Sequence, residues 1–247
     1  MLEFCCLQPR KGRLQLTVGD LQPELDIAIR LARQAGEAIM EYYQTGLAVH
    51  RKAGNEPVTV ADQVADDLIA RGLRAAFPHD GLLTEESDDD LSRLDRERVW
   101  IVDPLDGTTE FISGTGDFSV QIALTVQGQP VLGVVYQPTA DLLYRAVRGG
   151  GAFSVENGQV QPLRVSAETD PASMCMAASR SHYSAFVRSA RRALGIRDVR
   201  RVGSVGLKVG LLARGLCDLY LATTVAKEWD LCAPHALLLE AGGVLTN

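Results

Sequence analysis

Between Glu24 and Tyr43 apolar residues recur at helical spacing, at Leu25, Ala28, Ile29, Ala32, Ala35, Ile39, Met40 and Tyr43. This pattern predicts a long amphipathic helix stopped by Thr45-Gly46. A polar stretch from His50 to Pro57 leads to a second helix over 61–77, ended by Pro78 and Gly81. Two brief runs follow, Leu82-Leu83-Thr84 and Val99-Trp100-Ile101-Val102. They are short, partly β-branched and bounded by breakers, so they read as buried strands. From Asp117 to Val147 the pattern becomes an antiparallel meander with strands over 118–126, 131–136 and 142–147. The turns between them are Gln127-Gly128-Gln129-Pro130 and Gln137-Pro138-Thr139-Ala140-Asp141. Gly149-Gly150-Gly151 closes that block. Beyond it strands (174–178, 217–221) alternate with helices (183–194, 205–214, 230–241). The expected organisation is a poorly ordered leader over 1–20, an α+β part over 21–148 and an α/β part over 149–247.

Composition narrows the class. The 247 residues are 46% hydrophobic, with 25 Lys plus Arg against 31 Asp plus Glu, a formal net charge of −6. These values argue against intrinsic disorder and against a nucleic-acid binder that works through a basic face. No apolar stretch approaches the ~20 residues of a membrane span. In the leader, Arg10, Lys11 and Arg13 follow the apolar residues instead of preceding them, the reverse of a secretory signal. The adjacent Cys5 and Cys6 read as terminal thiols rather than a lipidation site. Five cysteines without a Cys-x-x-Cys pair do not make a disulfide scaffold or a zinc site, and a reducing cytoplasm is expected.

Both strands ahead of the meander end in carboxylates: the first runs into Glu85-Glu86, the second into Asp103-Pro104-Leu105-Asp106-Gly107-Thr108-Thr109. Ligands of α/β sheets gather outside the carboxyl ends of strands, so two such strands point to one site. Taken alone, Asp-x-x-Asp-Gly is equally readable as a turn. In this setting the acids lie close together. At ~5 Å and an effective dielectric of 20, each like-charge pair costs roughly 3 kcal/mol. A bound cation removes that cost, and oxygen donors without His or Cys select Mg²⁺ or Mn²⁺. Gly107-Thr108-Thr109 then offers backbone N–H groups for a phosphate, helped by the Thr108 hydroxyl. Acids for metal beside amides for phosphate indicate metal-assisted phosphoryl chemistry. Neither a Gly-x-x-x-x-Gly-Lys-Ser/Thr loop nor a Gly-x-Ser-x-Gly elbow is present.

These residues resemble the inositol monophosphatase superfamily. Trp100 with Asp103-Pro104-Leu105-Asp106-Gly107-Thr108, and Trp229-Asp230 with Glu240-Ala241-Gly242-Gly243, are similar to its two signatures. Glu85-Glu86-Ser87 and Val58-Thr59-Val60-Ala61-Asp62 stand where that superfamily has its Glu-Glu and Thr-x-x-Asp elements. The resemblance spans about 25–244. It implies a layered α-β-α-β-α sandwich and Mg²⁺-dependent phosphomonoester hydrolysis with two or three ions, inhibited by Li⁺. It also implies metal ligands at Glu85, Asp103, the Leu105 carbonyl, Asp106 and Asp230, and an Asp62–Thr108 pair that takes the proton from the attacking water. On local sequence Asp62 also reads as a helix N-cap. Glu86 is expected to be solvated or to act from behind the ligands, and Asp88-Asp89-Asp90 to be an exposed loop face.

Glu110-Phe111, Ser179-Arg180-Ser181-His182 and Gly203-Ser204-Val205-Gly206-Leu207-Lys208 are similar to the CysQ-type 3′(2′),5′-bisphosphate nucleotidases. That implies adenosine 3′,5′-bisphosphate as substrate, with inositol-1-phosphate or a sugar bisphosphate as the alternative. A non-catalytic phosphate-ligand sensor is the reading from another class. Substrate contacts are expected from Glu85, Leu105, Asp106, Gly107, Thr108, Arg180, His182, Ser204, Lys208 and Asp230. A second, unreacted phosphate needs cations away from the metals, which Arg180, His182 and Lys208 supply. On spacing alone, Lys208 is equally readable as a solvated helix residue and His182 as a capping one. Lys227-Glu228 departs from the family's usual approach to Trp229. Family members usually continue beyond the position of Asn247 with a closing strand; either the reading frame is truncated there or an open sheet edge is expected. A monomer or homodimer is expected, with no nucleic acid and no membrane as partner.

Overall fold

The computed structural model describes residues 21–45, 50–51, 57–223 and 225–246; the expected leader over 1–20 lies outside them. Helix α1 (Gln22–Tyr42) buries Leu25, Ala28, Ala32, Ala35 and Ile39 of the expected stripe, adds Leu31 and leaves Met40 exposed. Two short strands, β1 (His50–Arg51) and β2 (Pro57–Val58), pair antiparallel ahead of helix α2 (Val60–Ala76). Helix α2 packs on α1. Both lie on one face of a seven-stranded sheet: β3 (Gly81–Thr84), β4 (Arg98–Asp106), β5 (Ser119–Val126), β6 (Gln129–Gln137), β7 (Leu142–Val147), β8 (Gly151–Glu156) and β9 (Gln159–Pro162). Strands β3 and β4 are parallel, and every later pair is antiparallel. A one-turn helix, α3 (Thr108–Ile112), follows β4.

Gly149-Gly150-Gly151 is therefore a hairpin turn inside this sheet, and the chain leaves the sheet at Pro162 rather than at the glycine run. The sequence pattern missed β8 because its buried positions are the small Ala152 and the polar Ser154, and β9 because it is exposed throughout. A smaller parallel sheet follows, built from β10 (Cys175–Ser179) between β11 (Asp198–Val202) and β12 (Leu219–Tyr220). Helix α4 (Ala185–Ala193) packs on one face of it through Val187, against Met176 and Ile196. Helix α5 (Val205–Ala213) contacts β10 and β12, and with α6 (Glu228–Glu240) fills the space between the two sheets. The layers are thus α1/α2, large sheet, α5/α6, small sheet, α4, which is the α-β-α-β-α sandwich expected.

Strand β5 shows why this order holds. All eight of its residues are buried. Val120, Ile122, Leu124 and Val126 face the α1/α2 core, while Ala123 faces the α5/α6 core. The period of two splits one strand between two cores, so a helix layer is needed on each side. Trp100 on β4 is 1% exposed, stacks on Phe77 at 5.1 Å and donates from its indole N–H to Asp80 at 3.0 Å. This anchors the strand whose far end carries the acids.

Candidate active site

Because β3 and β4 run parallel with Thr84 opposite Val102, Glu85, just past the end of β3, comes beside Asp103 on β4. The Glu85 N–H continues the ladder by donating to the Val102 carbonyl at 3.2 Å. On β4 the register with β5 slips between Asp103 and Asp106: Asp103 faces Gln121, Asp106 faces Ser119. Residues three apart on a regular strand would point to opposite faces. The extra residue of this bulge, at the proline that could not donate to the ladder anyway, brings both acids to one side. Gly107 then turns with φ 103°, a conformation that favours glycine, and the chain enters α3.

Asp103 is 1% exposed, and Glu85, Asp106 and Asp230 act on it electrostatically. Burial first, and then these three like charges in that order, push its carboxyl well above the usual range. Asp230 sits in the first turn of α6, where its carboxylate accepts the Lys227 N–H at 2.6 Å. Asp106 is held through one oxygen: Oδ2 accepts from Gln121 Nε2, Ser204 Oγ and the Gly206 N–H, the last at 3.0 Å. A side chain at Gly206 would meet Val135 at 2.7 Å, so only glycine lets the start of α5 approach Asp106 this closely.

Asp62 lies in the first turn of α2 and is 1% exposed. Thr59, not Asp62, is the N-cap, since its Oγ1 accepts the Ala61 N–H at 3.2 Å. The Thr59 N–H and hydroxyl both donate to Asp62 Oδ2 at 2.7 Å. The other oxygen, Oδ1, accepts from Thr108 Oγ1 at 3.1 Å, and the Leu105 carbonyl is 3.3 Å from the same hydroxyl. Burial raises the Asp62 pKa despite these hydrogen bonds.

The remaining expected residues fall into different surroundings. Ser204 points inward, bridging Ser119 at 2.9 Å, Asp106 and the Leu207 N–H at 3.1 Å. Lys208 is 3% exposed; it donates to the Gly203 carbonyl at 3.2 Å, and its ammonium lies 5.2 Å from the Tyr220 ring centre. Burial lowers its pKa, while Asp106, Glu110, Asp117 and Asp230 pull it back up. Arg180 is engaged by Asp117, with Nε at 2.8 Å, and its Nη2 donates to the Arg201 carbonyl. His182 is exposed, and its backbone N–H donates to Ser179 Oγ at 3.0 Å. Glu110 is buried and accepts from Ser181 Oγ. The Asp88-Asp89-Asp90 run is exposed, and Asp89 and Asp90 accept N–H bonds of the next turn.

Gln121 and Ser119 were not among the residues singled out from sequence. With Thr125 they are the polar residues of an otherwise apolar strand, and both are 0% exposed. For a metal, the chemistry of the donor set fits: four acids and a carbonyl, with a buried carboxylate among like charges that a cation would relieve. Among the described residues no three acidic, His or Cys side chains already converge as a ready-made shell. The fit rests on charge and donor type.

The chain matches the inositol monophosphatase family over residues 20–247. The protein belongs to that family. Over 221 residues it is 39% identical to the 3′(2′),5′-bisphosphate nucleotidase CysQ of Escherichia coli (strain K12), covering 88% of each chain. It is 33% identical over 235 residues to the Nus factor SuhB of the same strain, covering 92% of this chain and 86% of SuhB. Among solved structures, CysQ from Bacteroides thetaiotaomicron superposes with a TM-score of 0.76 at 32% identity, over 90% of this chain and 87% of that one. The family and the CysQ relatives indicate a phosphatase.

Proposed function

We propose that the protein is a Mg²⁺-dependent phosphomonoesterase that removes the 3′-phosphate of adenosine 3′,5′-bisphosphate, leaving AMP and phosphate. The observation that supports the reaction class is the buried Asp103 carboxylate beside the end of β3, on which Glu85, Asp106 and the α6 residue Asp230 all act electrostatically, together with the Thr108–Asp62 pair. Glu85, Asp103, Asp106, Asp230 and the Leu105 carbonyl would hold two or three Mg²⁺ ions. Bound there, Mg²⁺ supplies Lewis-acid charge and lowers the pKa of water.

The chain's own groups do the rest. Thr108 Oγ1 gives its proton to Asp62 Oδ1 while taking one from the attacking water. Burial has already raised the proton affinity of Asp62, which suits it to the end of this relay. Backbone N–H groups at Gly107 and Thr108 hold the non-bridging oxygens. Ser204 and Gln121 serve by holding Asp106, and Ser204 reaches substrate only through that acid.

The choice of a bisphosphate is supported by the CysQ likeness. Lys208 adds to it: a buried cation with three donors, one of them used on Gly203. Arg180 and His182 stand on the loop after β10 and would meet the far end of the substrate. Membership of the inositol monophosphatase family favours a second reading, inositol-1-phosphate as substrate. Phosphate release from the two compounds at equal Mg²⁺ decides between them; a clear preference for inositol-1-phosphate overturns the first. Binding without release from either would leave a phosphate-ligand sensor. We place the enzyme in the cytoplasm, as a monomer or homodimer, a setting that suits the free thiols of Cys175, Cys217 and Cys232.

A further inference from the structure

Helix α2 carries a second buried carboxylate, one turn beyond Asp62, for which the reaction has no use. Asp66 is 3% exposed. Its Oδ2 accepts from Ser87 Oγ at 2.8 Å, while Oδ1, also buried, has no hydrogen-bond partner. Ser87 directly follows Glu85-Glu86 and opens an exposed loop. Its N–H donates to Thr84 Oγ1 at 3.2 Å, and the Glu85 N–H donates to β4. The acidic turn is thus fastened to the sheet where it begins and to α2 where it ends. An apolar residue at position 66 would spare the cost of a buried, half-satisfied carboxylate. What the carboxylate adds is an acceptor aimed at the turn.

We propose that Asp66 is a positioning residue: through Ser87 Oγ it fixes the Glu85-Glu86 turn and so aims the Glu85 carboxylate at the metal site. The inference rests on the reading of Glu85 as a metal ligand. Partners that orient a metal's ligands from behind change affinity by roughly 10–100-fold when removed. No change in the helix or the sheet is needed for that effect, because the Ser87 side chain is on the surface.

The test is a titration of the metal-free full chain with Mn²⁺, free ion being counted by electron paramagnetic resonance, alongside the unfolding temperature without metal. Ser87→Ala and Asp66→Ala should each weaken Mn²⁺ binding about tenfold. Ser87→Thr, which keeps the hydroxyl, should restore it. The double variant should bind no more weakly than either single one, since both remove the same bond. Ser87→Ala should unfold at the wild-type temperature. If Ser87→Ala binds Mn²⁺ as the wild type does while Glu85→Gln loses it, Asp66 has no positioning role and the metal reading stands. If Glu85→Gln itself binds normally, the metal reading fails and the inference fails with it.

Discussion

Asp62→Asn tests whether that carboxylate serves the helix or the reaction. As a helix residue, Asp62 closes a reciprocal pair with Thr59, whose N–H and hydroxyl both reach Oδ2. Losing such a cap costs about 0.5–2 kcal/mol. An asparagine oxygen can keep those two bonds, and the substitution also removes a charge that burial disfavours. Stability should therefore change by no more than about 1 kcal/mol, or roughly 2–4 °C in a chain of this length. The proton relay has no such substitute, because an amide cannot take the Thr108 proton. General-base catalysis contributes about 10²–10⁴-fold, so the barrier should rise by roughly 2.7–5.4 kcal/mol. The assay is steady-state phosphate release at saturating Mg²⁺, with thermal unfolding of the same preparations. A variant that turns over within tenfold of wild type would refute the relay and leave Asp62 as part of a helix start. A variant that simply unfolds would show that the buried hydrogen bonds, not the charge balance, dominate.

Three further outcomes are expected. Asp106→Asn should lower phosphate release by at least about a hundredfold while circular dichroism stays unchanged, since the amide oxygen can keep the bonds from Gln121, Ser204 and Gly206. Ser204→Ala removes both the α5 cap and a bond to a carboxylate, together roughly 2–3 kcal/mol, and calorimetry should show a melting temperature about 4–12 °C lower. Lys208 has its pKa lowered, burial outweighing the nearby acids. Its native form thus holds fewer protons than the unfolded chain between the folded pKa and the ordinary lysine value. Stability should rise with pH across that window and be most penalised below it. Lys208→Met should accordingly be more stable than wild type at neutral pH, with the gain shrinking in alkali, while KM for a bisphosphate rises; equal gains at all pH values would contradict the assignment.

The long elements were legible because their signal is local. Helix α1 declares itself through its buried stripe, and β5, β6 and β7 through runs bounded by turn residues. Strand β11 was not legible: Asp198-Val199-Arg200-Arg201-Val202 lies at a sheet edge and is largely exposed, so its sequence looks like surface. The site divides the same way. Asp103, Asp106, Gly107 and Thr108 are contiguous and form a recognisable turn. Gln121, Ser119 and Asp66 carry no motif, because their roles come from neighbours far along the chain.

Phosphatase chemistry was readable from residue type and order alone: the acids Glu85, Asp103 and Asp106 stand where two short apolar runs give out, followed directly by Gly107-Thr108. How those acids are aimed depends on contacts that no local segment contains. The bulge at Asp103–Asp106, the hold of Gln121 and Ser204 on Asp106, and the tie from Asp66 to Ser87 all join segments brought together by packing. Donor chemistry is a property of residue type and is written locally. Orientation is set by hydrogen bonds between distant segments, and these exist only once both helix layers have closed on the sheet.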